Sequence, residues 1–151
     1  GTTLDAAHVA MAVGGPVLIL PEIGYAPTFG RNILVAWKES RESARAVRDA
    51  WPFLAAAANV TFLTVGPDAK AAFDPMQHLN LVAHECSHAR MIVDTNDERH
   101  VSDAIRLRAG MVGADMLVLG LYGHARLQEL LLGGVSRSLI KDVPMPVLVS
   151  H

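Results

Sequence analysis

The sequence predicts an α/β domain with an open, doubly wound parallel sheet. Short apolar runs without polar alternation recur along the chain, and such runs are typical of strands buried on both faces of a sheet. Segments with apolar residues at helical spacing lie between most of these runs. Strands that alternate with helices in this way form right-handed βαβ units, which build a parallel sheet covered by helices on both faces.

The beginning of the chain predicts a helix, a strand and a linker. Residues 4–13 can form a helix that Gly14-Gly15 ends, and residues 16–20 follow as a strand. Residues 21–29 are rich in turn-forming residues, which indicates a linker.

Five further strands are predicted, each an apolar run bounded by turn or cap residues. They cover residues 33–37, 60–65, 90–93, 116–119 and 146–150. Trp37 ends the first of them and should pack under a helix, because tryptophan in such a domain is usually part of the core.

Four helices are predicted between these strands. The first begins after Ser40, a suitable N-cap, and Pro52 should kink or shorten it. Its predicted buried face carries Ala44, Val47, Trp51 and Leu54. The second, at residues 75–88, is only weakly amphipathic.

The third and fourth helices are bounded by glycines. Asn96 or Asp97 can cap the third, and Gly113 ends it. Its predicted buried residues are Val101, Ala104, Ile105, Ala109 and Val112. The fourth opens at Gly133-Gly134 and repeats apolar residues every four positions, at Val135, Leu139 and Val143.

Length and composition exclude several classes of protein. A chain of 151 residues that is 51% hydrophobic forms one ordinary domain, and its net charge of −2 offers no basic surface for nucleic acid. Residues 9–20 are too short an apolar run to cross a membrane and lack the basic start of a signal peptide. The single cysteine, Cys86, excludes an internal disulfide and is compatible with the cytoplasm.

A glycine-rich loop after the strand at residues 116–119 predicts a phosphate site. Gly120 and Gly123 follow the strand, and Gly133-Gly134 precedes the fourth helix. The first turn of a helix has unpaired N–H groups and a positive dipole end, which together favour an anion. The alternative is that these glycines serve only as turn and cap residues.

The spacing Gly-x2-Gly-x9-Gly, followed by a hydroxyl residue, resembles the nucleotide loop of the universal stress protein family. The ending Val-Pro-Met-Pro-Val-Leu-Val, residues 143–149, is also similar to that family's last strand. The resemblance covers residues 32–150 and implies a five-stranded sheet of order 3-2-1-4-5, counted from the strand at residues 33–37. The glycine loop then lies where the strand order reverses, which is where such sheets bind ligands. Neither a Gly-x-Gly-x-x-Gly after the first strand nor a P-loop is present.

The resemblance implies an adenine-nucleotide site, with ATP or AMP as ligand and Mg²⁺ able to accompany it. The residues expected to surround the phosphates are Gly120, Gly123, Gly133, Gly134, Val135 and Ser136. Ala36 and Val65 would border the base. Two positions depart from the family: Lys38 stands where an acidic residue usually contacts the nucleoside, and Gly134 stands where nucleotide-binding members usually carry Ser or Thr. Lys38 can instead pair with a phosphate.

The expected function is a regulatory or stress-response module without efficient catalysis, since no general base and no acidic Mg²⁺ ligand accompany the loop. No catalytic residue or metal ligand is assigned. Two alternatives remain, a domain of the same fold that acts through dimerisation without nucleotide, and a weak ATPase or phosphoryl-transfer enzyme. The partners expected are an adenine nucleotide and a like domain bound through the last strand, with no nucleic acid and no membrane.

A short metal-binding motif favours a different class of protein. His84-Glu85-Cys86-Ser87-His88 matches His-Glu-x-x-His, the zinc motif of metalloproteases. The motif closes the helix that precedes the strand at residues 90–93, which places it at the edge opposite the glycine loop, and no third histidine follows at short spacing. An exposed helix end is the simpler interpretation.

Residues 12–20 partly repeat residues 141–149, because a helix end again leads into a Pro-Val-Leu strand. We therefore predict that residues 1–21 are a helix-strand remnant of a preceding like domain, that residues 22–31 are a linker, and that residues 32–151 form the universal stress protein domain. Residues 17–20 should pair with residues 147–150, in cis or as an exchanged arm, because a bare edge strand is an aggregation hazard. The alternative is a disordered remnant.

Overall fold

The computed structural model describes residues 15–21, 28–37, 41–66, 89–95, 101–120 and 145–150. Six strands and three helices lie in these parts of the chain. Their bounds are β1 Val17–Ile19, β2 Asn32–Ala36, α1 Arg41–Asp49, α2 Trp51–Ala56, β3 Asn59–Val65, β4 Ala89–Asp94, α3 Val101–Val112, β5 Met116–Gly120 and β6 Val147–Ser150. The helices predicted at residues 4–13, at 75–88 and after Gly134 lie outside the described residues.

The strands form one sheet of order β1-β6-β5-β2-β3-β4. The five strands from β2 to β6 are parallel, and they follow the predicted order 3-2-1-4-5. The sheet has six strands and not five, because β1 joins it at the edge, antiparallel to β6. The fold is therefore the predicted α/β class with one additional edge strand.

The core lies in two layers, one on each face of the sheet. Ile33 and Val35 of β2 pack with α1 and α2, whereas Leu34 packs on the other face with α3. All three side chains are at most 1% exposed. A strand that is buried on both faces has no polar alternation, which is why the apolar runs identified these strands.

Pro52 divides the first helix as predicted. The chain leaves α1 at Asp49 and enters α2 at Trp51, with the proline in the first turn, where a missing N–H costs no hydrogen bond. The predicted buried face was wrong at one position: Ala44 is exposed, and Ser43 and Ala46 are buried instead.

Gly113 ends α3 in the left-handed region, with φ +65°, as a helix-terminating glycine should. Ala104, Ile105 and Ala109 are buried as predicted, but Val101 is 43% exposed. The predicted buried face was therefore wrong in the first turn of this helix.

The carboxylate of Asp115 ties the start of β2 to the start of β5. Its Oδ1 accepts hydrogen bonds from the backbone N–H groups of Gly30 and Asn32, each at 3.1 Å, and its Oδ2 accepts one from Arg31 at 3.1 Å. The Asp115 N–H in turn donates to the Asn32 carbonyl oxygen at 2.9 Å. Backbone donors that would otherwise lose their partners at a strand end are satisfied here.

The edge strand β1 is a near copy of the strand with which it pairs. Val17 lies opposite Val149, Leu18 opposite Leu148 and Ile19 opposite Val147. Pro16-Val17-Leu18 repeats Pro146-Val147-Leu148, so the pair has a local twofold relation centred between the two leucines. The predicted pairing of these strands is confirmed, and it occurs within one chain. The origin of residues 1–21 in a preceding domain stays a prediction.

We expect Ile19→Asp to detach β1. Ile19 packs against the core layer under α3, and a carboxylate at that position would lose its hydration. The detached strand would leave the edge of β6 open to pairing with other chains, so the melting temperature should fall and self-association should rise in size-exclusion chromatography.

Leu20→Asp is the matched control, because Leu20 is 47% exposed and the introduced charge is the same. If both variants behave like the parent chain, β1 does not protect this edge.

Candidate functional site

The strand order reverses at β2, which lies between β3 and β5. Ala36, at the end of β2, aligns with Leu63 on one side and with Leu119 on the other. The carboxyl ends of the three strands therefore lie side by side at one edge of the sheet. In open α/β sheets, a reversal of this kind leaves a crevice beyond the strand ends.

Three of the predicted site residues lie at this edge. Ala36, Val65 and Gly120 are the last residues of β2, β3 and β5. The other predicted site residues lie outside the described residues: Lys38, Gly123, Gly133, Gly134, Val135 and Ser136. The His-Glu-x-x-His motif at residues 84–88 also lies outside them.

Gly120 lies directly against the first turn of α1. A Cβ atom at this position would lie 2.8 Å from the carbonyl carbon of Glu42 and 2.8 Å from the backbone nitrogen of Ser43. Backbone atoms cannot move aside as a flexible side chain can, so only glycine fits. The contact brings the positive end of the α1 dipole to this edge of the sheet, although Glu42 adds an acidic side chain to the same turn.

The end of β3 is held by the neighbouring edge strand. The Gly66 N–H donates to the carbonyl oxygen of Asp94 at 2.9 Å, and Gly66 has φ +131°, which favours glycine. Asp94 is 6% exposed, and its Oδ2 lies 3.8 Å from the Nε of Arg108 on α3. The backbone after Val65, where the base was expected, is therefore anchored on one side.

The indole Nε1 of Trp37 and the hydroxyl of Thr64 are buried and have no hydrogen-bond partner among the described residues. The Trp37 N–H donates to the Leu63 carbonyl oxygen at 2.8 Å, so Trp37 extends β2 beside Thr64. Trp37 packs edge-on to Phe62, with ring centroids 6.2 Å apart, and belongs to the core layer under α1 and α2, as predicted.

These observations are compatible with a nucleoside at the edge. The strand ends supply apolar surface and backbone groups at Ala36 and Val65, and the buried polar atoms of Trp37 and Thr64, which have no partner among the described residues, lie next to them in the chain. That residue 120 is a glycine is neutral as evidence for a ligand, since the packing of α1 already requires a glycine there. No cluster of three or more histidine, cysteine or acidic side chains that could hold a metal is present in the described segments.

Sequence reasoning missed several polar contacts at this edge. Ser150, at the end of β6, is fully buried, and its hydroxyl donates to the Asp49 carboxylate. This bond and the Asp94–Arg108 pair join residues that are distant in the chain, so no local pattern reveals them. The only available signal was the presence of a polar residue at the end of an apolar run.

None of the described helices is long and apolar enough to cross a membrane.

Comparison with known proteins identifies the family of this chain. The model of the Universal stress protein family matches residues 30–151, which include all five parallel strands. The chain belongs to the universal stress protein family. No curated protein matches it.

Solved structures of that family show the same fold. A universal stress protein from Archaeoglobus fulgidus DSM 4304 superimposes with a TM-score of 0.71 at 21% identity, covering 90% of this chain and 49% of that one. The chain therefore spans about half the length of this relative. The universal stress protein UspA from Lactobacillus plantarum gives a TM-score of 0.63 at 18% identity, covering 82% of this chain and 99% of that one.

We expect Gly120→Ala to destabilise the fold by about 1–3 kcal/mol, the usual cost of overpacking a rigid site. The added methyl group would meet the α1 backbone at 2.8 Å. Urea denaturation measures the change.

Gly110→Ala is the matched control. Gly110 lies within α3, and a Cβ there meets nothing within 4 Å, so this variant should gain up to about 1 kcal/mol from helix propensity. Equal midpoints for the two variants would contradict the close approach at Gly120.

Thr64→Val and Thr61→Val should change stability in opposite directions. Both side chains are buried in β3, but the Thr61 hydroxyl accepts a hydrogen bond from Arg90 Nε at 3.2 Å, whereas the Thr64 hydroxyl has no partner among the described residues. Removing an unpaired buried hydroxyl should stabilise by about 1 kcal/mol, and removing a bonded one should cost a similar amount.

Urea midpoints of both variants, measured with and without ATP, test this prediction. A loss of stability in Thr64→Val without ligand would show that its hydroxyl has a partner in the free protein.

Proposed function

We propose that the chain is an adenine-nucleotide-binding regulatory module. The observation that carries the proposal is the convergence of Ala36, Val65 and Gly120 at the point where the strand order reverses. Membership of the universal stress protein family supports it. The glycine spacing after Gly120 supplies the expected phosphate loop.

In the proposed site, the strand ends bind the base of the nucleotide and the glycine loop binds its phosphates. Ala36 and Val65 border the base, with backbone groups of the strand ends reading its edge. The phosphates are surrounded by Gly120, Gly123, Gly133, Gly134, Val135 and Ser136, and Lys38 pairs with them. ATP or AMP is the proposed ligand, with Mg²⁺ able to accompany the phosphates.

Binding without efficient turnover fits the residues available. At the described end of the site, Asp94 lies beside Arg108 and the Asp49 carboxylate accepts the Ser150 hydroxyl, so neither of these two carboxylates is placed to activate a water molecule. A sensing role in the cytoplasm is part of the proposal, and the single cysteine is compatible with it.

We expect calorimetry to detect binding of ATP, ADP or AMP to the parent chain. Lys38→Ala should weaken ATP binding about tenfold, the worth of one charge-assisted contact, and should leave adenosine binding unchanged, because adenosine has no phosphate.

Arg48→Ala removes the same charge from an exposed position at the end of α1 and should change neither affinity. The absence of any thermal shift with millimolar adenine nucleotide would refute the proposal.

Association with a like domain is the second candidate, and the twofold relation of β1 and β6 favours it. An edge that accepts a near copy of β6 in antiparallel register also fits the β6 strand of another domain, or a β1 strand exchanged between chains. Analytical ultracentrifugation of the Ile19→Asp variant distinguishes a defined dimer from open-ended aggregation.

A further inference from the structure

A polar pocket lies at the edge of the sheet opposite the proposed nucleotide site. Its volume is about 200 Å³, and it is lined by Asn32, Ile33, Asn59, Thr61, Arg90 and Val112. Asn32 and Asn59 begin β2 and β3, Arg90 is the second residue of β4, and Val112 ends α3. The pocket therefore opens at the amino ends of the strands, on the face covered by α3.

Among the described residues that line this pocket, Arg90 is the only charged one. Its Nε donates to the hydroxyl of Thr61 at 3.2 Å, and Thr61 is 2% exposed. The side chain is thus oriented by a buried residue, although Arg90 as a whole is exposed. Among the described residues its two Nη groups have no hydrogen-bond acceptor, and a planar fork of this kind matches an oxyanion.

The two asparagines present ordered amide groups beside the arginine. Asn59 Nδ2 donates to Asn32 Oδ1 at 2.9 Å, and Asn32 Nδ2 donates to the Gly113 carbonyl oxygen at 3.3 Å. This chain of bonds leaves the second N–H of Asn59 and its Oδ1 for a ligand. The hydroxyl hydrogen of Thr61 and the fork of Arg90 are further donors in the described part of the pocket.

The negative end of the α3 dipole repels an anion, but this repulsion is weaker than the attraction of the full positive charge of Arg90. A helix C-terminus carries about half a negative charge, and one of its carbonyl groups, that of Gly113, already accepts a hydrogen bond from Asn32. The carboxylate of Asp115 lies at the same edge of the sheet, yet three backbone N–H groups donate to it. Among the described residues that line the pocket, Arg90 therefore supplies the one full charge.

We propose that this pocket binds a small oxyanion, either inorganic phosphate or the carboxylate of a small acid, through the Arg90 fork and the Asn59 amide. The pocket is too small for a nucleotide, since drug-sized ligands occupy roughly 300–1,000 Å³. The exposure of Arg90 limits the affinity, and a dissociation constant on the order of a millimolar is expected. The site is independent of the proposed nucleotide site, which lies at the other edge.

Titration of the full chain with inorganic phosphate and with acetate, at constant ionic strength held with chloride, tests the proposal. Constant ionic strength is required because general screening would otherwise mimic binding. The expected result is saturable binding of one or both anions, with shifts of the Asn59 side-chain amide signals in nitrogen-edited NMR spectra. The relative response to phosphate and acetate identifies the class of oxyanion.

Arg90→Gln should weaken this binding about tenfold or more, because it removes the charged donor and keeps a side chain of similar reach. Arg90→Lys keeps the charge but loses the guanidinium fork, so its affinity for the anion should lie between those of the parent chain and Arg90→Gln. Arg48→Gln, on α1 at the other face of the sheet, makes the same charge change and should bind as the parent does.

The proposal is wrong if neither anion binds saturably, if Arg90→Gln binds as well as the parent, or if Arg48→Gln loses as much affinity as Arg90→Gln. Circular dichroism and the melting temperature verify that each variant is folded. If Arg90→Gln does not fold, Arg90→Lys decides the question, and undiminished affinity in Arg90→Lys would show that the guanidinium fork takes no part.

Discussion

The alignment of β2 with β5 is the constraint on which the rest of the sheet depends. Gly30 and Asp115 are 85 residues apart in the chain, and bringing such distant segments together costs conformational entropy. The Asp115 carboxylate offsets part of that cost by accepting three backbone N–H groups at once. Because β3 aligns with β2 and β6 aligns with β5, the register set at this contact extends across the sheet.

At the other end of this pair of strands, β5 ends at Gly120, where the α1 backbone leaves no room for a side chain. The contact of Gly120 with the α1 backbone positions the helix that covers Ile33, Val35 and Val118. A side chain at position 120 would push α1 away from this core layer. The glycine that begins the Gly-x2-Gly-x9-Gly spacing in the sequence therefore already has a structural purpose, and its identity alone is no evidence for a ligand.

The strands could be predicted from the sequence because burial on both faces removes polar residues from them. Helix faces were predicted less well, because alanine is common on both faces of α1, and the exposed Ala44 is chemically the same as the buried Ala46. The strand order came from the family resemblance. The ends of the strands, at Ala36, Val65 and Gly120, could be located from the local sequence. The strand order then placed these three residues at one edge of the sheet.

The contacts between distant residues could not be predicted in this way. Asp94 approaches Arg108, Ser150 donates to Asp49, and Arg90 donates to Thr61 only after the strand register and the helix positions are set. Each polar residue looks like an ordinary surface position in the sequence. Their partners are determined by the tertiary fold and not by spacing along the chain.

The edge of the sheet at the amino ends of the strands and the edge at their carboxyl ends carry different kinds of side chain. At the amino edge, polar side chains bind the backbone and each other: Asp115 clamps the start of β2, and Asn59 bonds to Asn32. At the carboxyl edge, Ala36 and Gly120 present little beyond backbone. The small residues that end β2 and β5 leave space beyond the strand ends, whereas the side chains at the amino edge hold the strands in register. This division agrees with the placement of ligands at the carboxyl ends of strands in open α/β sheets.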